Sequence, residues 1–138
     1  MIQSLDSLPL AAEIEKRAAA AGLIMPVLVQ VNIGDDDNKF GISEQQTLPF
    51  LQQLAQFGSL QVKGLMTIGP LLPEAEQMRP LFAAMRELFL KVKAFELPHV
   101  SMDYLSMGMT HDYQIAVEEG ANIVRVGSGI FGTRANVL

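Results

Sequence analysis

Val27-Leu28-Val29-Gln30-Val31-Asn32, closed by Gly34, decides how this chain folds. The run is short, rich in β-branched residues and almost wholly apolar, the pattern of a strand buried on both faces. Such strands belong to parallel sheets covered by helices. Upstream, Ser7 to Ala21 reads as a helix: Ser7 stands at the cap, Pro9 suits the first turn, and Gly22 ends it. Downstream, Ser43-Glu44-Gln45-Gln46 is a capping-box pattern opening a second helix, with Leu48, Leu51, Leu54 and Ala55 on one face and Gly58 as its stop.

The alternation repeats to the end of the chain. A strand is expected over about Gln61 to Thr67, then a long helix carrying Met78, Leu81, Phe82, Met85, Leu88, Phe89 and Val92 at helical spacing. Pro80 belongs in that helix's first turns, since deeper it would kink it. A third strand is expected over Val100 to Ser106, ending at Gly108. A short helix over Asp112 to Glu119 and a last strand over Asn122 to Val126 complete the series, and Ile2-Gln3-Ser4 reads as a strand remnant at the start. Strands separated by helices are parallel, with right-handed crossovers. Two α/β architectures fit: an open doubly wound sheet, or a partial (β/α)8 barrel of the TIM type comprising its last four to five strand–helix units. A complete barrel takes about 250 residues. The 138 residues here form a single domain, 1–138, with no linker or repeat dividing it.

Composition narrows the function. Hydrophobic residues make up 49% and charged residues 18%, which excludes a disordered chain. The net charge of −5 argues against a nucleic-acid binder. The absence of cysteine excludes disulfides, thiol chemistry and Cys-based metal sites, and fits a reducing compartment. The apolar run after Lys16-Arg17 is broken by Gly22 and Pro26 and preceded by Asp6, Glu13 and Glu15, unlike a secretory leader. No stretch of about 18 uninterrupted apolar residues is present, so a soluble, cytoplasmic protein is expected.

In parallel α/β folds, ligands sit at the carboxyl ends of the strands. Gly127-Ser128-Gly129 follows the last strand with closely spaced backbone N–H groups and little side-chain obstruction, an anion-binding arrangement. Ser106 adds a hydroxyl from the neighbouring strand. A barrel's phosphate site is frequently built from the loops after its last two strands. Arg125 is the sharper signal: an arginine inside a buried strand needs a partner. Two readings stand, a structural ion pair with Asp103 or Glu118, and a guanidinium aimed into the barrel mouth.

Other candidates carry less. Asp35-Asp36-Asp37-Asn38 places Phe40 where a calcium loop needs glycine, and reads as a solvated acidic turn. His99 and His111 have no ligand spacing. Ser106 has no adjacent histidine and no nucleophile-elbow pattern. The eight methionines read as core.

Four ordered segments carry a resemblance: Val29-Gln30-Val31-Asn32-Ile33 through Lys39-Phe40-Gly41-Ile42; Gly64-Leu65-Met66-Thr67-Ile68; Leu105-Ser106-Met107-Gly108-Met109; and Ile123-Val124-Arg125-Val126-Gly127 through Ile130-Phe131-Gly132-Thr133-Arg134. Together they resemble the pyridoxal phosphate homeostasis protein family, single-domain barrels similar to the N-terminal domain of alanine racemase. The resemblance implies a (β/α)8-type barrel holding pyridoxal 5′-phosphate (PLP) at its mouth. It implies that Ser106 and the backbone around Gly127 and Ser128 hold the phosphate, and that Arg125 faces the pyridine nitrogen. It also implies intracellular buffering and delivery of PLP without catalytic turnover. The family's Schiff-base lysine lies on an early strand, and none of Lys16, Lys39, Lys63, Lys91 and Lys93 matches its motif. This chain is therefore expected not to form the internal aldimine, and to bind PLP weakly or take phosphate or sulfate in its place.

Two other readings stay open: a small barrel enzyme acting on a phosphate-bearing substrate, and an assembly unit that self-associates, or pairs with a missing N-terminal half, to cover its open sheet edges.

Overall fold

The protein is described by a computed structural model covering residues 1–34 and 40–132. The Asp35–Asn38 turn, Lys39, Thr133 and Arg134 lie outside the described residues. In chain order the elements are β1 (Ile2–Leu5), α1 (Leu8–Ala20), β2 (Met25–Asn32), β3 (Ile42–Ser43), α2 (Glu44–Leu54), β4 (Leu60–Met66), a 3-10 turn (Ala75–Met78), α3 (Arg79–Lys93), β5 (Val100–Met109), α4 (Tyr113–Glu118), β6 (Ile123–Arg125) and α5 (Ser128–Phe131). The strands pair in the order β1-β2-β4-β5-β6, every pair parallel, and the two-residue β3 joins the far end of β2.

The core lies between the convex face of this sheet and its helices. Val27, Val29 and Val31 of β2 and Leu65 of β4 meet Ala11 and Ile14 of α1, Phe50, Leu51 and Leu54 of α2, and Phe82, Met85, Leu88 and Val92 of α3. Burying a side chain of this size stabilises by about 1.5–3 kcal/mol. Four of them on α3 hold that helix to the sheet far more firmly than its intrinsic propensity does. Pro80 lies in α3's first turn, as its chemistry requires.

The opposite face is concave, and one contact displays its curvature. The Ser106 hydroxyl on β5 donates to Oε1 of Gln3 on β1 at 2.7 Å. These strands are three positions apart, about 14 Å along a flat sheet at the usual strand spacing. Their side chains meet because the sheet curls. The fold is the α/β half-barrel of parallel strands, and the open doubly wound sheet is excluded.

Several element ends differ from the sequence expectation, each for a local reason. β5 does not end before Gly108 but runs through it to Met109. Gly108 has φ +90°, and a Cβ there would stand 2.5 Å from the Ala116 Cβ and 3.0 Å from the Tyr113 Cα, so α4 packs directly on bare backbone. β6 is shorter than Asn122 to Val126. Asn122 joins the ladder through its side chain, its Oδ1 accepting from Leu105 N–H (2.8 Å) and its Nδ2 donating to the Asp103 carbonyl (2.7 Å). Ser7 occupies the cap of α1 without a side-chain hydrogen bond, whereas Ser43 caps α2 by accepting from Gln46 N–H at 3.3 Å. α2 stops at Leu54, with Gly58 in the turn beyond it. The loop from α3 to β5 holds two non-glycine residues in the left-handed region, Glu96 (φ +47°) and His99 (φ +59°). Among the described residues no helix is long and apolar enough to cross a membrane.

Candidate functional site

Parallel strands deliver their carboxyl ends, and the loops that follow them, to one side of the molecule. A cleft of about 280 Å³ opens there. Pro70 and Leu71 after β4 form one wall, Met109, Thr110, His111 and Asp112 after β5 form another, and Arg125, Gly127 and Ser128 at the end of β6 close it. Its volume falls at the small end of ordinary ligand pockets, about 300–1,000 Å³.

Arg125 is the only described lysine or arginine lining this cleft. It is half-buried, and it makes no ion pair with Asp103 or Glu118. Asp103 is held by Lys63 (3.2 Å) and the Ser101 hydroxyl (2.9 Å), and Glu118 by Arg79 (2.6 Å). The guanidinium instead donates to two neutral acceptors, through Nη1 to Ser106 Oγ at 2.6 Å and through Nη2 to the Thr67 carbonyl at 2.7 Å. Thr67 is itself pinned, its hydroxyl donating to the Val31 carbonyl at 2.7 Å. Burial lowers the Arg125 pKa, and the charge of Asp112 opposes that shift. A guanidinium nevertheless stays protonated. The cleft thus holds a fixed, partly desolvated cation whose hydrogen-bond acceptors carry no charge. Such a group gains from an anion at its open side.

Ser106 is fully buried and does not line the cleft. It lies beneath the guanidinium, accepting from Arg125 and donating to Gln3. The two glycine amides expected to form an anion nest are engaged: Gly127 N–H and Gly129 N–H both donate to Thr110 Oγ1, at 3.2 and 3.1 Å. The Ser128 N–H lies between them in the chain, at the first residue of α5, and its hydroxyl is exposed. At Gly127 a Cβ would meet nothing within 4 Å, so the backbone there faces open space. Arg125, Gly127 and Ser128 therefore come together at one cleft, with Ser106 as the floor under the first.

Sequence reasoning missed Thr110, Thr67 and Gln3. A hydroxyl residue directly after a strand was the available signal for Thr110. For Gln3 the only signal was an amide side chain inside the short first strand. Of the other candidates, His111 borders the cleft and is exposed, whereas His99 lies in the α3–β5 loop. Lys16, Lys63, Lys91 and Lys93 all lie away from the cleft. No group of three or more metal-ligating side chains occurs among the described residues.

Comparison with known proteins gives a consistent result. The family described as "Alanine racemase, N-terminal domain" matches residues 1–135. The pyridoxal phosphate homeostasis protein of Aquifex aeolicus is 40% identical over 134 residues, 97% of this chain and 58% of that protein. Two solved structures of PipY from Synechococcus elongatus superpose closely. The one without PLP has a TM-score of 0.85 at 36% identity, and the one with PLP bound a TM-score of 0.84 at 34% identity. Each covers 95% of this chain and 60% of the PipY chain. The chain spans about half the length of the curated relatives it matches.

Proposed function

This chain belongs to the alanine racemase N-terminal domain family, and from that premise we propose that it binds pyridoxal 5′-phosphate at the carboxyl ends of β5 and β6, as a non-catalytic, intracellular holder of the cofactor. The observation that carries the reading is Arg125: a half-buried cation, fixed by two neutral acceptors, open toward a cleft. The residues present fit the group. A dianionic phosphate suits the open backbone at Gly127 and the N–H and hydroxyl of Ser128. A planar apolar ring suits the wall of Pro70, Leu71 and Met109.

In this reading Gly127 and Ser128 hold the phosphate and Arg125 faces the pyridine nitrogen. Ser106 contributes from below, by fixing the guanidinium. The cofactor's chemistry is that of an electron sink, and a guanidinium at the ring nitrogen blunts it, because it does not give up its proton to that nitrogen. That suits a protein that holds the cofactor without turning over substrate. Asp112, the carboxylate nearest the site, supports the same view, since its Oδ1 accepts from Met109 N–H at 2.7 Å. Lys16, Lys63, Lys91 and Lys93 lie away from the cleft, which supports reversible, non-covalent binding as part of this proposal.

The test is a titration of PLP into the 138-residue chain by calorimetry, followed by borohydride reduction and mass spectrometry. Saturable binding with no covalent adduct is expected. A stoichiometric adduct on one lysine overturns the non-covalent part, and the absence of binding overturns the cofactor reading.

A second reading concerns assembly. Among the described residues β1 and β6 each pair with a strand on one side only, which leaves two open edges in the described sheet. We propose that the chain self-associates, or pairs with the complementary half of a barrel, through these edges. Sedimentation should show a dimer or larger species of the chain alone, and a monomer across the micromolar range refutes self-association.

A further inference from the structure

We propose that Gln3 is a positioning residue for the anion site: it orients the Ser106 hydroxyl, which in turn fixes the Arg125 guanidinium. The inference rests on the reading of the cleft as a PLP site, but its geometry stands apart from it.

The argument is one of hydrogen-bond inventory. A guanidinium has donors only, so toward Arg125 the Ser106 oxygen acts as acceptor. A hydroxyl has one proton, and in a fully buried serine that proton needs an acceptor of its own. Gln3 Oε1, at 2.7 Å, is that acceptor. With the proton directed at Gln3, a lone pair of Ser106 faces Arg125 Nη1, at 2.6 Å. The second guanidinium nitrogen is held independently by the Thr67 carbonyl at 2.7 Å. Two fixed points determine the plane of the guanidinium, whereas one would leave it free to swing. Gln3 thus sets the direction in which the remaining N–H donors of Arg125 face the cleft, although it does not line the cleft itself. Its reach from β1 to β5 exists only because the sheet is curled, and no sequence neighbour of the site hints at it.

Gln3→Met keeps the approximate size and removes the acceptor. Gln3→Glu keeps an acceptor oxygen. The first measurement needs no ligand: ¹⁵N NMR of the Arg125 guanidinium in the 138-residue chain. Hindered rotation, seen as separate Nη signals, is expected in the parent and in Gln3→Glu, with averaged signals in Gln3→Met. The second is PLP affinity by titration, expected to weaken about three- to tenfold in Gln3→Met, the worth of one neutral hydrogen bond, and to stay within about twofold in Gln3→Glu. In a Ser106→Ala background, Gln3→Met should add no further loss. Averaged Nη signals in the parent overturn the proposal, as do unchanged signals and affinity in Gln3→Met. If the NMR pattern is as expected but no variant or parent binds PLP, the positioning role stands and the cofactor reading fails.

Discussion

Replacing Arg125 with methionine removes the cation and leaves two acceptors, Ser106 Oγ and the Thr67 carbonyl, without their donor. Hydrogen bonds from a charged donor are each worth about 1.5–3 kcal/mol. Methionine returns part of that loss, because the cation it replaces is partly desolvated and the thioether packs where the guanidinium stem lay. The net destabilisation is expected to be about 2–3 kcal/mol. At about 2.1 cal/mol/K of unfolding entropy per residue, a chain of 138 residues loses roughly 3–4 °C of melting temperature per kcal/mol. Arg125→Met should therefore melt roughly 7–10 °C below the parent when followed by circular dichroism. Arg125→Lys should fall between the two, since one ammonium does not reproduce the paired fork. PLP affinity should drop at least about tenfold in Arg125→Met, the worth of one hydrogen bond from a charged donor, here to the pyridine nitrogen. A melting temperature within about 2 °C of the parent would refute the claim that these bonds hold the floor of the site.

The remaining expectations concern the scaffold. Gly108→Ala, whose Cβ would collide with Ala116 at φ +90°, should cost at least about 3 kcal/mol in urea unfolding, whereas Gly22→Ala, at φ +66° with nothing within 4 Å, should cost only about 1 kcal/mol. Glu96→Gly should raise stability by about 0.5–1 kcal/mol in the same assay, as relief of a left-handed residue outweighs the added freedom of the unfolded chain. Two carboxyls lie below their ordinary values: Glu76, through its hydrogen bond to Arg79, and Asp103, through Ser101 and then Lys63. Groups with depressed folded pKa values add stability above their ordinary values, 4.5 and 3.8, and lose it as pH falls through the lower folded ones. Melting temperatures should therefore decline below about pH 4.5, and Arg79→Ala should flatten that decline; an identical acid limb in the variant would contradict it. Both carboxylates are exposed, so the effect should shrink in high salt.

The strand–helix order was legible because apolar runs such as Val27 to Asn32 can be buried only in a covered sheet, and because glycines punctuate them. Whether that sheet stays open or curls was not legible in the strand pattern itself; only the resemblance carried by the four ordered segments pointed to a barrel. The same runs serve both architectures, and the deciding contact joins Gln3 to Ser106 across 103 positions of sequence. Arg125 stood out because an arginine amid valines demands an explanation. Its partners did not, since a backbone carbonyl and a buried hydroxyl leave no charge pattern to read. Asn122 illustrates the same limit: it was expected as the first residue of the last strand, yet it joins the ladder through a side chain that imitates a peptide group.

The contact between Gln3 and Ser106, continued to Arg125, runs from one free margin of the sheet to the other like the string of a bow. Two side-chain hydrogen bonds thereby tie β1 to β6, strands that the backbone ladder alone leaves at opposite margins.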